Sequence, residues 1–304
     1  MKESISLNVL EPIIDHTRIY GDNRFVYPVL SRRSKGISVG INLNPDKVCN
    51  FDCIYCEVDR RSDAITTFVE TDRLIAELET MLDYVLSGGL YLEPKFAVVP
   101  AALRRLNDIA FSGDGEPTTF KNIDAIVGRV ADLKRSRGLH DVKLVMITNA
   151  TMFHRHVVQK ALAIMDENQG EIWAKLDAGT DAYYHLIERT TIPFGRVLEN
   201  LLIAARVRPI VIQSLFMKVN GEGPSSAEIE AYCERLREIV AGGGGIRSVQ
   251  VYTVARKPAE AIVEPLADAD IEAIARKVHE TTGLEAESFV GASVSTVRED
   301  INDN

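Results

Sequence analysis

Six short apolar runs alternate with amphipathic segments along the chain, and this alternation constrains the fold more than any other feature of the sequence. The runs have the length and composition of buried strands, and they fall at residues 37–43, 108–111, 142–147, 171–176, 209–217 and 246–254. Segments with helical spacing of apolar residues fall at 74–85, 123–133, 154–166, 197–207, 226–240 and 268–281. Alternating strands and helices predict an α/β fold with a parallel sheet and right-handed crossovers. Six such units form either an open doubly wound sheet or a curved partial barrel, and periodicity leaves both open.

The sequence shows no sign of a division into separate domains. Its 304 residues fit in one α/β unit, because barrels of this class keep chains of similar length in a single domain. Prolines at 94–100 and a glycine run at 242–245 interrupt the pattern, but neither resembles an interdomain linker. We expect an N-terminal extension at residues 1–35, a core at 36–290 and a C-terminal tail at 291–304.

Charge and targeting signals narrow the range of partners and compartments. The formal net charge of −9 argues against a general polyanion binder, although a local basic patch at Arg32, Arg33 and Lys35 stays open. The sequence has no long apolar run of the kind that spans a membrane, and its N-terminus lacks the pattern of a signal peptide. We therefore expect a cytoplasmic protein.

Three of the four cysteines lie within eight residues, which predicts metal binding or catalysis rather than a disulfide framework. Cys49, Cys53 and Cys56 form a C-x3-C-x2-C motif directly after the first predicted strand, so their thiolates can converge on one centre. A mononuclear zinc site usually needs four protein ligands. Cys233 falls inside a predicted helix, where a small buried residue is expected, and no histidine lies near the motif. Three cysteines favour an iron–sulfur cubane with one open iron, and a structural zinc site is the alternative.

A glycine-rich turn with two carboxylates follows the second predicted strand, at the edge of the sheet where cofactor chemistry collects in parallel α/β proteins. Gly113 and Gly115 allow a ligand to approach the backbone closely, and the carboxylate of Glu116 suits an ammonium group. A polar turn that caps the following helix explains the same residues equally well.

Polar residues also mark the later strands. Lys175 and Asp177 lie two apart, so they share one face of the fourth strand and either bind a ligand together or form a salt bridge. Gln213 and Ser214 interrupt the apolar fifth strand, and we expect them to face a cavity or to bond to a neighbour. Arg256 after the sixth strand could bind a substrate anion, but a solvated surface arginine is the favoured interpretation.

The cysteine motif, with an aromatic residue before its last cysteine, resembles the signature of the radical S-adenosylmethionine (SAM) superfamily. The resemblance implies a partial (β/α)6 TIM-like barrel and a [4Fe–4S] cluster held by Cys49, Cys53 and Cys56. It implies reductive cleavage of SAM, which gives a 5′-deoxyadenosyl radical for hydrogen abstraction, and a low-potential electron donor such as ferredoxin or flavodoxin.

The same resemblance suggests which residues contact SAM. Tyr55 takes the place beside the adenine, and Gly113, Gly115 and Glu116 stand where the family has a Gly-Gly-Glu element for the SAM amino group. Further candidates at the strand ends are Asn149, Lys175, Asp177 and Gln213. No residue is assigned a catalytic role.

Several segments together, among them Ser-Gly-Asp-Gly-Glu-Pro-Thr and Ile-Thr-Asn-Ala-Thr, look like the iron–sulfur oxidoreductases related to the wyosine-base-forming tRNA enzyme. That enzyme carries a second cluster on further cysteines, whereas only Cys233 is left here, so the wyosine reaction itself is not expected. The substrate class stays open between small molecule, peptide and nucleic acid, and a different tRNA modification stays possible. The alternatives to radical catalysis are a zinc- or cluster-stabilised binding module and a metal-free cysteine redox protein.

Overall fold

The computed structural model describes residues 18–64 and 66–289, which contain ten strands and eight helices. The strands are β1 Val26–Ser31, β2 Gly36–Ile41, β3 Leu106–Phe111, β4 Lys143–Thr148, β5 Gly170–Lys175, β6 Ile210–Leu215, β7 Met217–Val219, β8 Ile246–Tyr252, β9 Val263–Pro265 and β10 Ala286–Phe289. The helices are α1 Thr71–Leu86, α2 Pro94–Ala97, α3 Ile123–Ser136, α4 His156–Asp166, α5 Asp181–Glu188, α6 Phe194–Val207, α7 Ser226–Ala241 and α8 Asp268–Thr282. Short 3-10 turns lie at Gly89–Leu92, Ala101–Leu103 and Pro117–Thr119.

Eight of these strands form one sheet in the order β1-β2-β3-β4-β5-β6-β8-β10. The first two are an antiparallel hairpin, and every later pair is parallel. From β2 onward each parallel strand is added on the same side as the one before, whereas a doubly wound sheet would reverse its order at a switch point. The order therefore decides for the curled half-barrel, and the protein is a mixed α/β single domain, as the resemblance implied.

All six predicted strands and the helices that alternate with them are confirmed, with ends shifted by a few residues. The pattern succeeds because each helix buries one stripe against the sheet. In α1 the buried stripe includes Leu74, Leu78, Met81 and Val85, at the three- and four-residue spacing of one helix face. Strand β6 is buried along its whole length, as expected of a parallel strand covered on both sides.

Other elements were not predicted from the sequence. Strand β1 lies within the range predicted as an extension, and it pairs antiparallel with β2 along six residues. Pro28 in its centre argues against a strand, but among the described residues β1 is an edge strand, where a proline is tolerated. Helix α5 has only eight residues, too few for a clear helical period. The division of the chain into extension, core and tail stays a prediction, and the tail at 291–304 lies outside the described residues.

The core has an outer and an inner part. The larger cluster fills the space between the sheet and the helices. Inside the half-barrel lies a second, much smaller cluster, formed by Ala110, Val145, Trp173 and Val211. A cavity of about 290 Å³ borders this inner cluster, and it opens onto the loops that follow the strands. In the described part of the chain, no helix has both the length and the apolarity that crossing a membrane requires.

Candidate cluster and cofactor site

The loop that carries the cysteines follows β2 and is anchored by the C-terminal end of α5. The backbone N–H of Asp52 donates to the carbonyl of Glu188 at 3.1 Å, and the N–H of Ile54 donates to the carbonyl of Ile187 at 2.9 Å. The last carbonyls of a helix have no hydrogen-bond donor within the helix, and here the backbone of the cysteine loop supplies two such donors. This contact places the motif at the carboxyl ends of the parallel strands.

The three thiols of the motif are half-buried, and those of Cys53 and Cys56 border the cavity. Burial raises the pKa of the Cys49 thiol, and burial with the neighbouring Glu188 raises the pKa of Cys53 well above its usual range. The Cys53 sulfur lies 2.7 Å from Glu188 Oε2. Arg60 places its guanidinium 3.6 Å from the Cys56 sulfur, a favourable neighbour for a thiolate.

The donor set fits an iron–sulfur cluster better than a zinc ion. Cys233, the fourth cysteine, is fully buried in α7, as the sequence predicted, and cannot join the motif. Three thiols on one loop suit a cubane that leaves one iron open, whereas a structural zinc site calls for a fourth ligand. Among residues 18–64 and 66–289, no three His, Cys, Asp or Glu side chains are gathered in a metal-binding arrangement.

Behind the motif lies a buried polar network that contains two carboxylates. The hydroxyl of Tyr55 lies 2.5 Å from Asp177 Oδ2 and 2.9 Å from Glu188 Oε1. Lys175 Nζ lies 3.0 Å from Asp177 Oδ2 and donates to the Tyr252 hydroxyl at 2.9 Å. Burial and the charge of Asp177 raise the pKa of Glu188 to about 8, because two buried carboxylates resist being ionised together.

The structure thus brings together three of the predicted residues, Tyr55, Lys175 and Asp177, with the lysine and aspartate as an ion pair. The ammonium of Lys175 also lies 5.0 Å from the centre of the Tyr55 ring. Glu188 was not predicted, since it belongs to α5, which the periodicity did not reveal. Tyr252 was not predicted as a site residue either. It is a polar residue near the end of the sixth predicted strand, and a polar side chain at that place is the sequence signal that could have indicated a site residue.

Glu116 uses its carboxylate to join the glycine-rich turn to the end of β4. Its oxygens accept from the Thr118 N–H at 3.0 Å, the Thr148 hydroxyl at 2.6 Å and the Asn149 N–H at 2.7 Å. It also caps the 3-10 turn that follows, as in the structural interpretation of this segment. Burial raises the pKa of this carboxyl, and these hydrogen bonds offset only part of that rise. A contact between Glu116 and SAM stays a prediction.

The two glycines of this turn allow it to pack against the cysteine loop. A side chain at Gly113 would place its Cβ 2.2 Å from Asn42 Oδ1, and one at Gly115 would place it 2.2 Å from the Val48 carbonyl oxygen. These distances are far below any normal contact, so the close approach requires glycine at both positions.

The remaining predicted residues divide between the cavity and the loops around it. Gln213 faces the cavity and donates to Gln250 Oε1 at 2.7 Å, while Ser214 on the other face of β6 donates to the Leu176 carbonyl at 2.7 Å. The expectation that both find partners is confirmed. Asn149 donates to Asn50 Oδ1 at 2.8 Å and so ties the end of β4 to the cysteine loop.

Six of the predicted site residues line the cavity: Cys53, Tyr55, Cys56, Gly113, Lys175 and Gln213. The other five, which do not line it, are Cys49, Gly115, Glu116, Asn149 and Asp177. The favoured interpretation of Arg256 as a solvated surface residue is wrong. Its side chain is only 24% exposed, borders the cavity and forms an ion pair with Glu57.

Comparisons with known proteins show distant relatives. No family model matches the chain. A UPF0026 protein of Helicobacter pylori strain J99 is 23% identical over 214 residues, which are 70% of this chain and 61% of that protein. A UPF0026 protein of Methanocaldococcus jannaschii is 29% identical over 144 residues, 46% of this chain and 37% of that protein.

A protein of Brachyspira hyodysenteriae named GTPase Obg is 26% identical over 185 residues, 59% of this chain and 23% of that protein. The chain therefore spans less than two thirds of the length of each of these curated relatives. The 304 residues contain no Gly-Lys pair, so the phosphate-binding loop of GTPases does not lie in this part of the similarity.

Solved structures share the fold at low sequence identity. A radical SAM methyltransferase from Sphaerobacter thermophilus superposes with a TM-score of 0.60 and 13% identity, covering 87% of this chain and 69% of that one. A structure of TYW1 with a lysine–pyruvate adduct bound superposes with a TM-score of 0.50 and 15% identity, covering 83% and 75%. Identities this low show a common fold and leave the reaction to be argued from the site.

Proposed function

We propose that this chain, which has the fold and the cysteine motif of the radical SAM superfamily, is itself a radical SAM enzyme with one [4Fe–4S] cluster. The observation that carries the proposal is the position of the motif. Cys53 and Cys56 border a cavity inside the half-barrel whose wall also holds Lys175 and Gln213. A purely structural metal site needs no such cavity beside it.

The chain would contribute binding, orientation and exclusion of water. Cys49, Cys53 and Cys56 would hold three irons, and the open iron would take SAM. When bound, the cluster and SAM would supply the electron and the radical that hydrogen abstraction requires. Lys175, fixed by Asp177 and Tyr252, presents a positioned cation to the cavity.

Two further proposals follow from this chemistry. Reduction of such a cluster calls for a low-potential donor, and we propose ferredoxin or flavodoxin. Thiols that must stay reduced until iron is inserted favour the cytoplasm, which we propose as the compartment. The substrate would be an acceptor other than the one of the wyosine-forming enzyme, because one cysteine beyond the motif cannot hold a second cluster.

The alternative, a metal-stabilised binding module, makes different predictions in one experiment. The chain is reconstituted anaerobically with iron and sulfide, iron content is measured, and electron paramagnetic resonance is recorded on the reduced protein with and without SAM. A radical SAM enzyme would bind about four irons per chain, show a signal that SAM changes, and release 5′-deoxyadenosine after dithionite reduction.

Two cysteine variants make the test specific. Cys53→Ala should lose the signal and the 5′-deoxyadenosine. Cys233→Ala, which removes a buried cysteine outside the motif, should retain both. Zinc bound in place of iron, or a signal indifferent to SAM, would refute the enzyme and support the binding module.

A further inference from the structure

Two separate sets of contacts hold the cysteine loop, one at each end of the motif. Backbone hydrogen bonds hold the end that contains Cys53 and Cys56. Two of them run to the last carbonyls of α5, and in another the Ala259 N–H donates to the Cys56 carbonyl at 2.8 Å. Among the described residues, no backbone–backbone hydrogen bond joins Cys49 or Asn50 to another segment. This other end therefore depends on hydrogen bonds of side chains.

A closed ring of three side-chain hydrogen bonds joins Asn50 to the turn after β4. The Asn50 amide donates to the Thr151 hydroxyl at 2.7 Å, and that hydroxyl donates to Asn149 Oδ1 at 2.7 Å. The Asn149 amide completes the ring by donating to Asn50 Oδ1 at 2.8 Å. The Thr151 N–H also donates to Asn149 Oδ1 at 3.1 Å, which fixes the orientation of that amide. Hydrogen bonds linked in this way strengthen one another, so the ring acts as a unit.

The turn after β4 is held in a conformation that its sequence does not favour. Ala150 lies between Asn149 and Thr151 with a φ of 63°, in the left-handed region that alanine rarely adopts. Its N–H donates to the Thr148 hydroxyl at 3.0 Å. The buried amide of Asn200 on α6 donates to the Ala150 carbonyl at 2.9 Å and to the Thr151 carbonyl at 2.8 Å. Backbone strain of this kind persists only where the surroundings hold it, and it collects at functional sites.

We propose that Asn149 and Thr151 are positioning residues, which hold Cys49 through Asn50 in the place where it binds the cluster. The predicted alternative for Asn149 is a contact with SAM. However, Asn149 does not line the cavity, and the oxygen and the nitrogen of its side chain both belong to the ring. The other two cysteines are held by backbone contacts, so the ring acts on one ligand of the three. The words ligand and cluster rest on the proposed function, whereas the hold on Cys49 can be measured without iron.

Alkylation measures how firmly Cys49 is held. The full-length, reduced chain is treated with iodoacetamide before cluster assembly, and mass spectrometry follows the rate at each cysteine of the motif. Thr151→Val removes the ring hydroxyl with little change of shape. We expect Cys49 to react about fivefold to tenfold faster in this variant, the effect of losing buried hydrogen bonds, while Cys56 keeps its wild-type rate. Thr151→Ser retains a hydroxyl, so Cys49 should react there at close to the wild-type rate.

Further variants separate the ring from a general loss of stability. Thr282→Val is the matched control, because it removes a hydroxyl that donates to a carbonyl of its own helix, α8, at 2.7 Å. It should leave the rate at Cys49 unchanged. Asn149→Ala should speed the reaction of Cys49 as much as Thr151→Val does, and the double variant should add little, because both side chains belong to one ring. Thermal unfolding shows that each variant is folded.

Three results of the alkylation experiment would overturn the proposal. The first is a wild-type rate at Cys49 in Thr151→Val, and the second is equal acceleration of Cys49 and Cys56. The third is an effect of Thr282→Val on Cys49 as large as that of Thr151→Val.

The reconstituted protein separates this inference from the proposed function. A chelator should remove iron faster from Thr151→Val and Asn149→Ala than from the wild type, and iron release at the wild-type rate in both would overturn the inference. SAM, titrated by calorimetry, should bind both variants equally. Weaker binding by Asn149→Ala alone would assign Asn149 to SAM and also overturn the inference. A wild type that ignores SAM with its cluster intact would refute the proposed function and leave the alkylation result standing.

Discussion

The hydroxyl of Tyr55 is hydrogen-bonded to two carboxyl groups that are shielded from solvent. It lies between Asp177 and Glu188, both of which are buried. We expect Tyr55→Phe to lower the free energy of unfolding by about 1–3 kcal/mol, because the buried carboxyl groups of Asp177 and Glu188 lose the hydroxyl to which both are hydrogen-bonded. The measurement is urea denaturation of the cluster-free chain.

Tyr183 provides the matched control for this loss of a phenol hydroxyl. Its hydroxyl oxygen is buried and has no hydrogen-bond partner in the part of the chain that the structure describes. Tyr183→Phe should therefore be neutral or stabilising. If the free energy of unfolding falls by the same amount in both variants, the hydrogen bonds of Tyr55 make no specific contribution to stability.

A glycine in the hairpin at the sheet edge carries a second prediction. Gly40 is the cross-strand partner of Tyr27, and a Cβ at Gly40 would lie 2.4 Å from the tyrosine ring. Tyr27 cannot easily move, because its ring is buried and its hydroxyl donates to the Ser112 carbonyl at 3.0 Å. We expect Gly40→Ala to cost about 1–3 kcal/mol in thermal or denaturant unfolding, as overpacking of a core does.

Gly195 in α6 tests whether the Gly40 effect is steric. A Cβ at Gly195 would meet no atom within 4 Å. Gly195→Ala should leave stability unchanged or raise it by up to about 1 kcal/mol, since alanine is the better helix former. A loss of stability in Gly195→Ala as large as that in Gly40→Ala would contradict the steric explanation.

Site residues could be predicted where neighbours in the chain are also neighbours in space. The cysteine motif and the pair Lys175 and Asp177 meet this condition, since a loop or a strand fixes their spacing. Glu188 does not, because its approach to Tyr55 joins positions 133 apart in the chain. Glu116 illustrates a different limit. Its segment was identified, but only the fold shows that its carboxylate is engaged by the end of β4.

Among the elements, α5 links the cysteine loop to the helical layer. Its N-terminus is capped by the Thr180 hydroxyl, which accepts from the Tyr183 N–H at 3.2 Å, while Glu228 accepts from the Thr180 hydroxyl at 2.6 Å. Its C-terminal carbonyls hold the cysteine loop. We expect Thr180→Ala to cost about 0.5–2 kcal/mol and to speed the removal of iron by a chelator.

A substitution of similar cost elsewhere shows whether iron loss depends on α5. Ile271 is fully buried in α8, which packs against α7, β8 and β10, and Ile271→Val should also cost about 0.5–1.5 kcal/mol. Iron release should remain at the wild-type rate in that variant. Equally fast iron release in both variants would mean that the global stability of the protein controls cluster retention. The anchoring of the cysteine loop by α5 would then have no specific effect.

The elements that sequence patterns missed share a physical cause. Apart from β1, which has six residues and a proline at its centre, each is too short for a period to show. Strands β7 and β9 have three residues each, and they form a separate two-stranded sheet. Strand β10 has four residues at the far edge of the sheet. The long, fully covered strands are predictable because burial on both faces forces continuous apolar runs.

At the scale of the whole molecule, the sheet curls without closing, so β1 and β10 are its two edges in the described part of the chain. The turn between β1 and β2 connects them through a side-chain contact. Lys35 Nζ lies 2.9 Å from Glu287 of β10, and both side chains are about half exposed. The pair therefore bridges the open side of the half-barrel at the turn that also carries Arg32 and Arg33, which border the cavity.

Reversing the charge of Lys35 should loosen this bridge without unfolding the protein. An exposed ion pair contributes up to about 1 kcal/mol, so Lys35→Glu should speed amide exchange at residues 286–289 by up to about fivefold, and high salt should shrink the difference. Lys277→Glu alters a comparably exposed pair with Glu230 in the helical layer, and it should leave the exchange of β10 unchanged. Hydrogen exchange followed by mass spectrometry measures the exchange of residues 286–289 in the wild type and in both variants. The one strand that pairs with β10 in the described ranges is β8. Equal exchange of β10 in all three proteins would therefore show that pairing to β8 holds this edge and that the ion pair of Lys35 contributes nothing to it.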